Sequence, residues 1–156
     1  YAAAQLEVWM VNVHAMGGQS MLNAAREGVD MVGNRHPLLI AVSVLTSLKS
    51  SDLVQLGISD DLPDFVKRLA GMAINEGLDG LVCSAQEASL LRETFGKAPL
   101  LVTPGIRPDW AATDDQHRIM TPKQALQNGS SYLVIGRPTT QHENPAEALE
   151  MINQSL

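Results

Sequence analysis

Five short stretches of the chain are apolar at nearly every position, which predicts five buried β-strands. They span residues 8–13, 38–45, 80–83, 100–103 and 132–135. A strand with one face in water would alternate polar and apolar residues. Continuous apolar runs therefore favour strands that are covered on both faces, as in a parallel sheet between layers of helices.

Segments with helical periodicity lie between these runs. Residues 20–31 and 62–74 carry apolar side chains at helical spacing, which predicts two amphipathic helices. Three more helices are predicted by start signals, an S-x-x-E capping box and two capping residues followed by proline, at residues 84–87, 121–122 and 144–145. Glycines suited to helix C-caps follow the helical segments at Gly77, Gly96 and Gly129.

Strands and helices thus alternate, and this order predicts an α/β fold with parallel strands. Two architectures fit, an open doubly wound sheet and a (β/α)8 TIM barrel. A barrel needs eight strands and about 250 residues, so this chain would supply strands four to eight only. Residues 2–6 resemble the last turns of a helix, and the sequence has no initiator Met. We therefore expect residues 1–156 to form a single partial barrel domain whose N-terminal part is absent.

Composition and charge narrow the class of protein. The chain is 45% hydrophobic and 18% charged, as expected for a globular domain with one core. Its formal net charge of -6 gives no field that attracts nucleic acid or anionic lipid. The N-terminus has no signal-peptide pattern, and the lone Cys83 cannot form an internal disulfide and is interpreted as core filler. We expect a cytoplasmic protein with neither nucleic-acid nor membrane partners.

Glycine and arginine follow the last two predicted strands, where ligands bind in both candidate architectures. Arg107 lies in the T-P-G-I-R-P segment after the fourth strand, and Gly136 and Arg137 follow the fifth. Glycine lets a ligand approach the backbone closely, and the planar guanidinium matches phosphate oxygens. The pattern predicts a phosphorylated small-molecule ligand. The alternative is that both arginines are solvated surface residues beside turn glycines.

Polar residues at other strand ends are weaker candidates. Thr46 and Ser47 could form hydrogen bonds to the polar edge of a ligand's ring. Gln116, in the long connection between residues 104 and 121, could reach the same site. Hydroxyl side chains there could equally cap the next helix. His14 ends the first strand, but no neighbouring residue orients it as a base. The chain contains neither a nucleophile elbow nor a P-loop, a zincin motif or a dinucleotide fingerprint, which excludes the catalytic schemes that depend on these motifs.

Five segments of the chain resemble the bacterial orotidine 5'-phosphate decarboxylase family. They comprise residues 12–15, 44–47, 77–84, 101–107 and 133–138. The resemblance extends over residues 1–156, and the T-P-G-I-R-P and V-I-G-R-P segments are its most specific parts. It implies a (β/α)8 barrel of the ribulose-phosphate-binding type. It also implies conversion of orotidine 5'-monophosphate to UMP and CO2, in the last step of de novo pyrimidine synthesis, without metal or organic cofactor.

The same resemblance implies roles for five residues. Arg107, Gly136 and Arg137 would bind the 5'-phosphate, Thr46 would contact the pyrimidine edge, and Gln116 would bridge base and phosphate from a closing loop. Binding energy from the remote phosphate would then organise the site for catalysis. A homodimer is also implied, because the family completes each site with residues of the partner subunit. His14, Ser47 and Cys83 receive no role.

One departure from the family concerns the catalytic residues. The family uses an Asp-x-Lys-x-x-Asp motif, and none of the nine aspartates here begins one. Asp79 precedes its strand and is expected at the opposite end of the barrel. The chain is therefore predicted to supply the phosphate- and base-binding half of the enzyme and to be inactive on its own.

Two other functions also fit the sequence. Related barrels with the same phosphate site decarboxylate sugar-phosphate keto acids with Mg²⁺, and their catalytic residues would likewise lie outside this sequence. The chain could also be a non-catalytic half-barrel that binds phosphorylated ligands or a partner protein.

Overall fold

A computed structural model of the chain describes residues 1–33, 36–111 and 119–156. In this part of the chain the strands β1 to β5 are Met10–His14, Leu38–Val42, Gly80–Val82, Leu100–Thr103 and Tyr132–Leu133. The helices α1 to α8 are Ala2–Gln5, Gln19–Asp30, Ser50–Gln55, Leu62–Asn75, Ala88–Phe95, Pro122–Gln127, Arg137–Thr140 and Pro145–Gln154. None of the described helices is long and apolar enough to cross a membrane.

The five strands form one parallel sheet in the order β1-β2-β3-β4-β5. Every strand therefore pairs with its neighbours in sequence, and the segments that connect them carry the helices. This arrangement confirms the predicted α/β fold with parallel strands. Strand order that never reverses is the pattern of a barrel, whereas a doubly wound sheet changes direction at a switch point.

The hydrophobic core lies between the sheet and its helices. Val11 and Val13 of β1 pack against this core, as do the buried side chains of Leu81 in β3 and Leu101 in β4. The helices contribute Leu22 of α2 and, from α4 and α5, Val66, Leu69, Ala70 and Leu91. Apolar residues at helical spacing thus face apolar residues at alternate strand positions, as each period requires. Cys83 is buried in the same core, which agrees with its interpretation as filler.

The sheet curls until its two edge strands approach each other. In a flat sheet, β1 and β5 would be separated by about 19 Å, because adjacent strands lie about 4.8 Å apart. Trp9, just before β1, instead meets Tyr132 of β5 edge to face with ring centroids 5.1 Å apart. Both rings remain partly exposed. Such curvature is that of a barrel, and the prediction of five strands of a (β/α)8 barrel is confirmed.

Four strands are shorter than the apolar runs that predicted them. The first begins at Met10 rather than at residue 8, the second ends at Val42, the third at Val82 and the fifth at Leu133. Burial accounts for only part of the apolar sequence beyond these points, since Val44 is 2% exposed whereas Leu45 and Val134 are both 48% exposed. Hydrophobicity reports burial, whereas a strand also requires a partner for its backbone hydrogen bonds.

Two of the three helix starts predicted from capping signals agree with the structure. Thr121 and Asn144 cap α6 and α8, and their side chains accept the backbone N–H groups of Gln124 and Glu147 at 3.3 and 3.4 Å. Helix α5 begins only at Ala88. The side chain of Glu87 does accept the backbone N–H of Ser84 at 2.9 Å, so the reciprocal bond of the capping box exists, but it closes a turn ahead of the helix.

The glycines expected at helix C-termini have the required left-handed backbone. The φ angles of Gly77, Gly96 and Gly129 are 74°, 72° and 103°. Helix α7 was not anticipated, because four residues are too few to display a helical period.

Candidate functional site

The loops that carry the predicted site residues all leave the same edge of the sheet. Backbone pairing continues just past the strands, since Ser43 donates to Val82 at 3.0 Å and Cys83 donates to Val102 at 3.1 Å. At the next pair of strands, Val134 donates to the carbonyl of Thr103 at 3.0 Å. The carboxyl ends of β2 to β5 are therefore aligned, and we call the loops that follow the strands the carboxyl edge.

The loop after β4 holds Arg107 in a defined place. Gly105 has φ +78°, a backbone conformation that L side chains rarely adopt, and this turn redirects the chain after the strand. Ile106 is fully buried and pairs with Met120 in an isolated parallel bridge. The backbone N–H of Arg107 donates to the carbonyl of Met120 at 3.0 Å. These contacts hold the two ends of the connection between residues 107 and 120 next to each other.

Among the arginines that the structure describes, Arg107 is the one that is buried, with 6% of its surface exposed. Its Nη1 donates to the carbonyl of Ile106 at 3.0 Å, so part of the guanidinium fork is held by the loop itself. A positive charge in such surroundings is poorly screened by water and attracts anions more strongly than a surface arginine. The alternative that Arg107 is a solvated surface residue is therefore wrong.

Gly136 and Arg137 follow β5, the neighbour of β4. Gly136 is the N-cap of α7, and Arg137 is its first residue and half-buried. A Cβ atom added to Gly136 would have no heavy atom of the described residues within 4 Å. The packing of this part of the chain therefore does not require glycine at this position, whereas close approach of a ligand would.

Thr46 lies in a tight turn after β2. The N–H of Leu48 donates to the carbonyl of Leu45 at 3.0 Å, so Thr46 and Ser47 occupy the centre of this turn. Thr46 is half-buried and Ser47 is exposed. Gln116 lies outside the described residues. The structure thus brings Thr46, Arg107, Gly136 and Arg137 to the carboxyl edge.

Other residues at the carboxyl edge have no predicted role. His14 ends β1 and is exposed, and Asn12, two positions earlier, shares its face of the sheet. This face is opposite to Val11 and Val13, which pack against the core. Sequence reasoning did not single out Asn12, because one asparagine within an apolar strand carries no local signal of function.

Glu87 is a second residue whose place was not foreseen. The capping box predicts its bond to Ser84, and the structure in addition buries it to 7% exposure at the carboxyl edge, after β3. Within the described ranges, His, Cys, Asp and Glu side chains form no group of three or more that could hold a metal ion.

Comparison with known proteins identifies relatives over nearly the whole chain. Residues 1–152 match the family described as "Orotidine 5'-phosphate decarboxylase / HUMPS family". The chain is 58% identical over 155 residues to the orotidine 5'-phosphate decarboxylase of Vibrio cholerae serotype O1 and 57% identical to that of Escherichia fergusonii. Both alignments cover 99% of this chain.

The fold of the chain is also similar to that of a solved structure. The crystal structure of orotidine 5'-phosphate decarboxylase from Lactobacillus acidophilus superposes with a TM-score of 0.83 at 37% identity, over 98% of this chain and 65% of that one. The chain spans 67% of the Vibrio relative and 63% of the Escherichia relative, which is about two thirds of their length.

Proposed function

Because this chain belongs to the orotidine 5'-phosphate decarboxylase / HUMPS family, we propose that the complete protein converts orotidine 5'-monophosphate to UMP and CO2. In this proposal the chain binds the phosphate and the pyrimidine of the nucleotide. Arg107, Gly136 and Arg137 contact the 5'-phosphate, and Thr46 contacts the ring edge. Gln116 bridges base and phosphate.

The observation that carries the proposal is the pair of arginine loops on neighbouring strands. β4 and β5 pair through Val102 and Thr103, and the loops that follow them bear Arg107 and Arg137. A phosphate dianion needs several donors and compensating charge. One buried and one half-buried guanidinium, beside a glycine with free space at its Cα, meet that need.

The phosphate lies far from the carbon that loses CO2, so its binding acts on catalysis indirectly. Contacts to a remote group provide free energy that holds the reacting ring in place and keeps water out. Thr46 would fix the ring orientation through a hydrogen bond to its polar edge. The acid and base groups of the reaction would come from outside these 156 residues, since the Asp-x-Lys-x-x-Asp motif does not occur here. We further propose a cytoplasmic homodimer, as the resemblance implies.

Binding of UMP and its dependence on Arg137 test the proposal. Replacing Arg137 with glutamine in the complete protein is expected to weaken UMP binding by about tenfold to a hundredfold, because a hydrogen bond to a charged group contributes about 1.5–3 kcal/mol. Lys97→Gln removes the same charge from an exposed residue ahead of β4, at the other end of the strand, and is expected to leave the affinity unchanged. Isothermal titration calorimetry gives both dissociation constants.

Three further measurements separate the proposal from its alternatives. Formation of UMP from orotidine 5'-monophosphate by the complete protein, with the 156-residue chain alone giving none, is the expected result. Preference for ribulose 5-phosphate over UMP would favour the sugar-phosphate reaction instead. Binding of UMP without turnover by the complete protein would favour the hypothesis of a non-catalytic ligand-binding protein. Light scattering of the complete protein tests the homodimer.

A further inference from the structure

Two aromatic rings connect the loops that carry the arginines. Trp110 follows Arg107 by three residues, and His142 follows Arg137 by five. Their rings meet edge to face, with centroids 5.6 Å apart and planes inclined by 72°. Trp110 is 41% exposed, so burial in the core does not account for its position. An aromatic pair in this geometry is attractive beyond the area that it buries.

The backbone between Arg107 and Trp110 is short and hydrogen-bonded. The N–H of Arg107 donates to Met120 at 3.0 Å, and the N–H of Ala111 donates to the carbonyl of Pro108 at 2.9 Å. Trp110 therefore lies inside a closed turn that begins directly after Arg107. Only two residues, Pro108 and Asp109, separate Trp110 from Arg107.

His142 is connected to Arg137 in a similar way. The N–H of Gln141 donates to the carbonyl of Arg137 at 2.9 Å, which closes the single turn of α7. The Nδ1 atom of His142 lies 3.1 Å from the backbone nitrogen and 2.9 Å from the carbonyl oxygen of Asn144. It accepts a hydrogen bond from the N–H in one tautomer and donates to the carbonyl in the other. Because Asn144 caps α8, the imidazole is fixed to the start of that helix.

We propose that Trp110 and His142 are positioning residues that set the spacing of Arg107 and Arg137. The inference rests on the proposed phosphate site. The ladder between β4 and β5 comprises the pairs Val102↔Tyr132 and Thr103↔Leu133, and pairing continues one step further to the bond from Val134 to Thr103. A ladder this short fixes the strands but leaves the loops beyond them to be aligned by side chains. The ring contact supplies a tie between the two loops at the carboxyl edge.

The first test compares ligands with and without the phosphate. In the complete protein, Trp110→Ala is expected to weaken UMP binding about threefold to tenfold, the range that an edge-to-face pair supplies. The affinity for uridine is expected to stay the same, because uridine carries no phosphate. Trp110→Phe is expected to restore UMP binding, since phenylalanine keeps a ring edge. A general structural role would weaken both ligands and lower the unfolding temperature.

The second test is a double-mutant cycle between the two rings. If Trp110 and His142 act as one unit, Trp110→Ala combined with His142→Ala weakens UMP binding no more than the more damaging single substitution. Trp9→Ala is the matched control, because it removes the other tryptophan of the chain from an edge-to-face pair with Tyr132, before β1 rather than after a strand. It is expected to leave UMP binding unchanged.

The outcomes separate this inference from the proposed function. If the wild-type protein binds UMP and Trp110→Ala binds it equally well, the positioning role is wrong and the proposed function stands. Additive effects of the two substitutions would also overturn it. If Arg137→Gln leaves UMP binding unchanged, the phosphate site itself is wrong, and the positioning role fails with it.

Discussion

Replacing Gly80 with alanine is expected to lower the free energy of unfolding by about 3 kcal/mol or more, the upper end for overpacking in a core. Gly80 begins β3 and pairs with Leu100 of β4. A Cβ atom at Gly80 would collide with the backbone oxygen of Leu100 and would lie 2.7 Å from its Cβ. The obstacle is the backbone of a paired strand, which cannot move without breaking the sheet.

Gly71→Ala is the matched control for this substitution. Gly71 lies inside α4, where an added Cβ would be 3.7 Å from the nearest atom, in the ring of Phe95. Alanine is favoured over glycine in a helix by about 1 kcal/mol, so this variant is expected to be more stable than the wild type. Urea unfolding of the complete protein measures both. A Gly80→Ala variant as stable as the wild type would show that β3 and β4 are not packed as closely as described.

Replacing Asp79 with alanine is expected to lower the free energy of unfolding by about 3 kcal/mol. The Asp79 carboxylate, at the amino end of β3, accepts the backbone N–H of Leu39 at 2.7 Å and Nη1 of Arg26 at 3.1 Å. Leu39 is 1% exposed, so its N–H would be buried without an acceptor, which costs about 1–3 kcal/mol. Arg26, whose side chain is 14% exposed, would lose a charged partner as well.

Asp30→Ala provides the comparison for Asp79. Asp30 also pairs with Arg26, at 2.7 Å, but its side chain is 54% exposed and the pair spans one helical turn. Such pairs contribute about 0.3–0.5 kcal/mol. Asp79→Asn is expected to lie between the two, because the amide oxygen still accepts from Leu39 but carries no charge. Equal and small losses for Asp79→Ala and Asp30→Ala in urea unfolding would contradict the proposed role of Asp79.

Most of the fold followed from local patterns. Continuous apolar runs located all five strands, and capping residues located the starts of α6 and α8. The ends of the strands were misplaced by up to three residues, because Val44 and Ile135 are apolar and sit in or beside buried clusters without belonging to a strand. The sequence also placed Asp79 correctly at the end of the sheet opposite the candidate site.

The sequence predicts the residue types of the candidate site and their positions after the strands. It does not predict their burial or their contacts. Position after a parallel strand is a property of the sequence once the strands are known, and this rule led to Arg107 and Arg137. Arg107 is buried next to Ile106, which bridges to Met120 fourteen residues further along. The contact between Trp110 and His142 joins segments thirty-two residues apart. Neither contact has a local signature.

The sequence by itself determined the order of the elements, the parallel sheet, the family resemblance and the edge where the arginines emerge. These properties depend on periodicity, capping and motif, which act between residues close together in the chain. Only the tertiary structure decided the curvature of the sheet, the need for glycine at position 80 and the partners of Asp79. Each of these depends on contacts between residues far apart in sequence, such as Trp9 with Tyr132 and Arg26 with Asp79, and such contacts exist only after the chain has folded.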